Sequence, residues 1–103
     1  MVLLKIETQI NTAKRSEFEQ AIRFIIDFKV KDSIEHRCRI FQNIEMPDSF
    51  IYMQEWDNDD QIHEYMKTDG FKSLIGSMKV LGEIKSACLI SSECKDNILP
   101  DIT

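Results

Sequence analysis

Hydrophobic and polar residues alternate over the first stretch of the chain, residues 2–8. Apolar side chains at even positions, such as Leu4 and Ile6, are separated by the charged Lys5 and Glu7. Successive side chains of a strand point to opposite faces, so a period of two is typical of a strand with one buried face. The pattern therefore predicts a half-buried β-strand at the amino end.

The spacing of apolar residues then changes to three and four positions, which is the period of an α-helix. The positions with this spacing share one helical face and are Phe18, Ala21, Ile22, Ile25 and Phe28. Alternation returns in residues 35–42 and 50–56, on either side of a turn around Pro47. Proline fixes φ in such turns, so the two stretches are predicted to form a β-hairpin.

A second helical pattern follows the hairpin. The acidic run of residues 57–60 is interpreted as its start, because carboxylates complement the positive end of a helix. The apolar stripe pauses at residues 68–70, and Gly82 is predicted to end the helix in the left-handed conformation. The stripe consists of Ile62, Tyr65, Met66, Phe71, Leu74, Ile75, Met78 and Leu81. Residues 84–92 are predicted to form a fourth strand.

The order of these elements is β-α-β-β-α-β, which predicts an α+β, ferredoxin-like split βαβ fold. Such a fold has a four-stranded antiparallel sheet with both helices on one face. Residues 1–94 are predicted to form this domain, and residues 95–103 a tail that is loose or packs on a partner. Neither face of the sheet is plainly polar, so a second copy of the chain is expected to cover the other face as a homodimer.

The net charge of the chain argues against some classes of binding partner. Thirteen basic and 18 acidic residues give a net charge of −5, which argues against nucleic acid and anionic membranes as partners. The longest apolar runs are far shorter than the roughly 20 residues that a spanning helix needs, and the amino end does not resemble a secretory signal. Three cysteines without CxxC spacing favour reduced thiols, so the predicted location is the cytoplasm.

The segment from Glu55-Trp56-Asp57-Asn58 through Thr68 to Phe71-Lys72-Ser73-Leu74 resembles the antibiotic biosynthesis monooxygenase domain family, within the dimeric α+β barrel superfamily. The shared features are a strand that ends in an acidic residue and Trp, an acidic helix start, a helix broken near a Thr, and a Phe shortly after the break. The family includes cofactor-independent oxygenases of polyaromatic phenols and quinols, an isomerase of a signalling molecule, and haem-degrading proteins.

The chain departs from the family pattern at positions that bear on chemistry. Tyr65 and Gly70 stand where many members have His, and Ile75 stands where the haem-degrading branch has its iron-binding His. Isoleucine cannot ligate iron, so haem degradation is not expected. The resemblance implies an oxygenase without a bound cofactor, and neither an EF-hand spacing nor an HExxH motif indicates a metal site.

A cofactor-free oxygenase needs an apolar pocket for an electron-rich aromatic substrate and a group that stabilises its oxyanion. The candidate substrate-binding residues are Trp56, Tyr52, Phe71 and Met78, and the candidate catalytic residues are Tyr65, Arg39 and His36. Each also has a structural interpretation, since aromatic residues and Met commonly fill cores and Arg39 could pair with Glu55. His63 is expected to be exposed, and Cys38 and Cys88 to be small buried side chains.

The resemblance, taken together with these residues, implies two alternative functions. The first is a monooxygenase that oxidises a quinol-like or phenolic small molecule with dioxygen and no bound cofactor. The alternative is a non-catalytic, small-molecule-binding or stress-related dimeric module of the same fold.

Overall fold

A computed structural model describes residues 1–25, 37–92 and 95–102 of the chain. It contains one five-stranded antiparallel sheet, with helices on one face and strand order β2-β3-β1-β4-β5. The elements are β1 (Val2–Ile10), a 3₁₀ turn (Thr12–Lys14), α1 (Arg15–Ile25), β2 (Arg37–Gln42), β3 (Ser49–Trp56), α2 (Asp59–Met66), α3 (Asp69–Leu81), β4 (Gly82–Ile90), β5 (Lys95–Asn97) and α4 (Leu99–Ile102).

The first strand lies in the centre of the sheet, between β3 and β4. Its even-numbered residues face the helices, and Leu4 and Ile6 are fully buried there. Leu4 lies opposite Gln54 of β3 and Leu89 of β4. The alternation predicted from sequence is therefore confirmed, and the fold is the predicted ferredoxin-like one with an additional edge strand.

The core lies between this face of the sheet and the helices. The rings of Phe18 on α1 and Phe50 on β3 lie 4.9 Å apart in this core, and α1 also packs against α3. The predicted continuation of the first helix to Phe28 and the predicted start of the second strand at residues 35 and 36 lie outside the described residues. The other core residues come from the strands, from α1, α2 and α3, and from the carboxyl-terminal segment.

The break in the second helical pattern is a helix cap. The side chain of Asn58 accepts a hydrogen bond from the Gln61 N–H at the start of α2, as expected for an acidic and polar helix start. Thr68 Oγ1 accepts a hydrogen bond from the Phe71 N–H and donates one of 2.6 Å to the Tyr65 carbonyl. Thr68 therefore begins α3 and fixes it to the end of α2.

Gly82 does not adopt the left-handed conformation that we predicted. Its φ is −174°, so the backbone is extended, and Gly82 is the first residue of β4. A Cβ at this position would lie 2.1 Å from the carbonyl oxygen of Gln9 on β1. Glycine is required here because two backbone segments approach closely, rather than because of its φ.

The carboxyl-terminal segment packs on its own chain instead of extending as a loose arm. Residues Lys95–Asn97 form the short edge strand β5, which pairs with β4. Ile98 is buried, and its N–H donates a 2.9 Å hydrogen bond to the Ala87 carbonyl. The Asn97 side chain accepts a hydrogen bond from the Leu99 N–H, and Leu99 and Ile102 pack against the core.

The second face of the sheet is open in the single chain and carries both charged and apolar side chains. The apolar ones are Leu3, Phe41, Ile51, Met53 and Ile90, none of which is buried. Phe41 is 49% exposed. We call this surface the open face. Within residues 1–25, 37–92 and 95–102, no helix has the length and apolar character that crossing a membrane requires.

Candidate functional site

Three aromatic side chains meet between the end of β3 and the helices. The ring centroids of Trp56 and Tyr65 lie 4.9 Å apart, and those of Tyr65 and Phe71 lie 5.5 Å apart in an edge-to-face arrangement. Such geometries are the favoured ones for aromatic pairs. Because Thr68 joins α2 to α3, the local backbone holds Tyr65 and Phe71 in this arrangement. We call these three residues the aromatic stack.

A group of buried and half-buried polar side chains extends from Tyr65 of the aromatic stack. Tyr52 is completely buried, and its hydroxyl accepts a hydrogen bond of 2.6 Å from the Cys38 thiol. The Tyr52 hydroxyl in turn donates to Gln54 Oε1 at 3.3 Å. The Tyr65 hydroxyl lies close enough to both Tyr52 and Gln54 for their side chains to influence its pKa. Cys38, Tyr52, Gln54 and Tyr65 form the polar cluster.

Burial determines the protonation of this cluster. Burial raises the pKa of the Cys38 thiol to about 11, partly offset by the hydrogen bond with Tyr52. Burial also raises the pKa of Tyr65 to about 12, and it raises that of Tyr52 far above its ordinary value. All three groups therefore keep their protons near neutral pH. The Cys38 and Tyr52 protons are donated within the cluster, so Tyr65 is the member that can donate a hydrogen bond to a developing oxyanion. None of the three groups is a base near neutral pH.

The structure brings together four of the residues selected from sequence. Trp56, Tyr52, Tyr65 and Phe71 form the contacts just described, and the fifth, Met78 on α3, is fully buried in the same core. The side chains that could be either core residues or site residues therefore lie together, in the core between the sheet and the helices.

Arg39 lies away from this group, on the open face. Alternation along β2 directs Cys38, opposite Gln54, toward the helices, whereas Arg39 lies opposite Met53 and is exposed. Glu55, the expected partner of Arg39, lies opposite Arg37 instead. His36 lies outside the described residues.

His63 is exposed on α2, as expected. Its Nδ1 lies 2.7 Å from the Asp59 carbonyl oxygen, so this nitrogen donates the hydrogen bond. Within the described ranges, no group of three His, Cys, Asp or Glu side chains is arranged to hold a metal ion.

Cys38 and Gln54 belong to the cluster, but sequence reasoning did not select them. Cys38 was treated as a small apolar side chain, and its thiol instead donates to Tyr52. Gln54 is 1% exposed and stands between Tyr52 and Trp56 on the buried side of β3. The signal that could have identified Gln54 is the alternation along β3, which puts this polar residue on the same face as Tyr52 and Trp56. Buried polar groups need hydrogen-bond partners, so such a residue indicates a polar contact in the core.

Comparison with known proteins identifies the fold. No family profile matches the chain, and no curated protein sequence matches it. Among solved structures, a candidate antibiotic biosynthesis monooxygenase from Deinococcus radiodurans superposes with a TM-score of 0.77 at 16% identity, over 89% of this chain and 92% of that one. SnoaB, a cofactor-independent oxygenase from Streptomyces nogalater, solved as a mutant, superposes with a TM-score of 0.74 at 15% identity, over 90% and 93%.

A third similar structure is a conserved protein of unknown function from Bacteroides thetaiotaomicron, described as a possible oxidoreductase. It superposes with a TM-score of 0.72 at 20% identity and covers 93% of this chain and 95% of its own. The resemblance to the antibiotic biosynthesis monooxygenases is thus confirmed in the fold, over nearly the full length of both chains. Fold alone does not determine a reaction.

Proposed function

We propose that the protein is a cofactor-independent monooxygenase that oxidises a quinol-like or phenolic small molecule with dioxygen. The observation that carries the proposal is that the aromatic stack and the polar cluster meet at Tyr65, which belongs to both, inside this fold. A solved protein of the same fold, SnoaB, is a cofactor-independent oxygenase. The free thiols of Cys38 and Cys88 support a reducing compartment, and we propose the cytoplasm as the location.

The chemistry that we propose needs no external reductant. A phenol with a free ring C–H reacts with one molecule of dioxygen to give a quinone and one molecule of water. One oxygen atom enters the ring and the other leaves as water, and the substrate supplies all four electrons. The phenolate first transfers one electron to dioxygen, the two radicals combine to a peroxide, and the peroxide loses water.

In this scheme the aromatic stack binds the flat substrate and Tyr65 stabilises its oxyanion. The substrate ring takes the place of a stacking partner, with Trp56 and Phe71 as the proposed walls and Tyr52 and Met78 behind them. Tyr65 stays protonated because its pKa is raised to about 12, so its O–H is available as a donor at the pH where the substrate ionises. A donor in a site with little water stabilises an oxyanion far better than it would in water.

Two further residues have proposed roles outside the polar cluster. His36 is the proposed base that removes the phenolic proton, since the pKa of His lies in the range where such a base works. Arg39 is proposed to add positive charge to the active assembly from the open face, where a second copy of the chain would pack.

We also propose that the active protein is a homodimer, joined through the open face. That face carries Leu3, Ile51, Met53 and Ile90 in half-exposed positions around the fully paired β1. A two-fold axis would place the same surface of two chains together, as is usual in dimers. Exposed apolar side chains that stand side by side on neighbouring strands, as Phe41 and Ile51 do here, are typical of an interaction surface.

Oxygen uptake tests the proposal. Protein freed of metal and flavin is supplied with a panel of reduced quinols and hydroxylated naphthalenes, and uptake is corrected for autoxidation in buffer. We expect protein-dependent uptake that falls about 100-fold to 1,000-fold in Tyr65→Phe, in line with the loss of one oxyanion donor, and less in Arg39→Ala. His63→Ala serves as the control, because His63 is exposed on α2. Uptake no faster than the buffer blank across the panel would contradict the proposal.

The alternative function is a non-catalytic small-molecule-binding dimer. The observation in its favour is that Trp56 and Phe71 are each 4% exposed and pack against Tyr65, while Arg39 lies on the other face. This alternative predicts that phenols bind, with saturable quenching of the Trp56 fluorescence, yet are recovered unchanged after incubation in air. Conversion of a bound phenol to its quinone would exclude it.

A further inference from the structure

A groove opens between α3 and the carboxyl-terminal helix α4. Its volume is about 340 Å³, within the roughly 300–1,000 Å³ that small-molecule sites occupy. Its apolar lining, which we call the apolar floor, consists of Met66 of α2, Phe71 and Ile75 of α3 and Ile102 of α4. Phe71 belongs to both this groove and the aromatic stack, so the two sites share one side chain.

Gly76 stands in the middle of α3 and lines the groove. Glycine inside a helix costs about 0.5–1 kcal/mol relative to alanine, and its usual justification is close packing against another element. In the described part of the chain, a Cβ at Gly76 would meet nothing within 4 Å. The glycine therefore leaves space open beside α3, where a larger side chain would project into the groove.

Two lysines flank this space. Lys72 and Lys79 stand four residues before and three residues after Gly76, and both line the groove. They lie about 10 Å apart along the helix axis, given the rise of an α-helix. Among the described residues neither forms an ion pair, whereas Lys67 and Lys85 pair with Glu64 and Glu83. Asp101 is the one carboxylate among the residues that line the groove.

We propose that this groove binds a small organic anion with a flat apolar body, such as an aromatic carboxylate. The apolar floor receives the body above Gly76, and Lys72 and Lys79 attract the anionic group. Lys72 and Lys79 place two positive charges beside the apolar side chains of the groove, against the single negative charge of Asp101, so the lining residues favour an anionic ligand. The site is distinct from the polar cluster, and it does not depend on the oxygenase proposal.

A second groove, between α1 and the β2–β3 pair, is the weaker candidate. Its volume is about 220 Å³, and its charged residues, Glu19 and Arg23, have opposite signs. It therefore offers neither the room nor the charge preference of the groove at Gly76.

Direct binding of 2-naphthoate, measured by calorimetry without dioxygen, tests the proposal. The neutral 2-naphthamide, which has a similar shape, isolates the contribution of the charge. We expect naphthoate to bind at least fivefold more tightly than naphthamide, and the preference to fall as salt is added. Lys72→Ala and Lys79→Ala should each weaken binding about threefold, and the double variant about tenfold. Lys67→Ala and Lys85→Ala are the matched controls and should bind as the parent does.

A steric variant makes the test specific for the groove. Gly76→Phe fills the space between the two lysines and should abolish naphthoate binding, whereas Ser73→Phe, at an exposed position of the same helix, should not. The unfolding midpoint of each variant in urea shows that it is folded. Naphthoate binding that survives Gly76→Phe, or that is equally tight for naphthamide, would overturn the proposal. Because the assay contains no dioxygen, its outcome is separate from that of the oxidation experiment.

Discussion

At the scale of single residues, burial keeps the ionisable side chains of the polar cluster protonated. Cys38, Tyr52 and Tyr65 share one buried hydrogen-bonding region, and burial raises the pKa of each. A raised pKa means that the folded state disfavours the ionised form. These side chains therefore stabilise the fold only while they are protonated, which links the proposed donors to stability.

The stability of the protein should fall as the pH rises above 9. The ordinary pKa of Cys38 is 9.0 and the folded one about 11, and the values for Tyr65 are 10.0 and about 12. Below pH 9 both states hold these protons and the contribution is complete. Above it the unfolded chain loses protons first, so the contribution declines until the pH has passed the folded values.

Urea unfolding between pH 7 and 12 measures this decline. Cys38→Ser should remove the decline in the free energy of unfolding that begins at pH 9. Tyr65→Phe should remove part of the decline that begins at pH 10. The difference between parent and variant isolates each group from the other titrating residues. A profile for Cys38→Ser parallel to that of the parent over the whole range would show that the thiol is not held protonated by burial.

At the scale of elements, two glycines that look alike in sequence have opposite environments. Gly82 faces the Gln9 carbonyl at the junction of α3 with β4, whereas Gly76 faces open space in α3. We expect Gly82→Ala to lower the free energy of unfolding by about 2 kcal/mol or more, since backbone must move. Gly76→Ala should raise it by about 0.5–1 kcal/mol. Urea unfolding of both variants checks the sign, and equal effects would contradict these environments.

The elements differ in how well sequence predicts them. β1, β3 and α3 follow from the spacing of their apolar residues, because each has one buried face. β5 does not, since Lys95, Asp96 and Asn97 are all polar and exposed and carry no period. The conformation of Gly82 could not be predicted from sequence either, because the Gln9 carbonyl that excludes a side chain lies 73 positions earlier in the chain.

The candidate site was predictable in part for the same reason. Trp56, Tyr65 and Phe71 could be selected because they are large aromatic residues at regular spacing. That the Cys38 thiol meets Tyr52 depends on the register of β2 against β3, in which Ile40 lies opposite Tyr52 and Cys38 opposite Gln54. Sequence gives the alternation of faces along each strand, but not the register between strands.

At the scale of the whole molecule, we propose that the open face joins two copies of the chain into a dimer. A dimer should have a mass of about 24 kDa in light scattering, twice the 12.1 kDa of the chain. Met53→Arg adds a third positive charge between Lys5 and Arg39 on this face and should shift the mass toward the monomer, because an unpaired charge is costly in an interface. Val80→Arg is the control, since Val80 is 71% exposed on α3. A parent mass of about 12 kDa would rule out this dimer.

The measurement that tests the central claim most directly is the fate of labelled dioxygen. Metal- and flavin-free protein is incubated under ¹⁸O₂ with the phenol that gives the fastest oxygen uptake, and the product is analysed by mass spectrometry. We predict a quinone that carries one ¹⁸O atom, one dioxygen consumed per quinone formed, and a rate that falls with Tyr65→Phe. A product without ¹⁸O, or labelled product at the same rate in Tyr65→Phe and in protein-free buffer, would contradict a monooxygenase at this site.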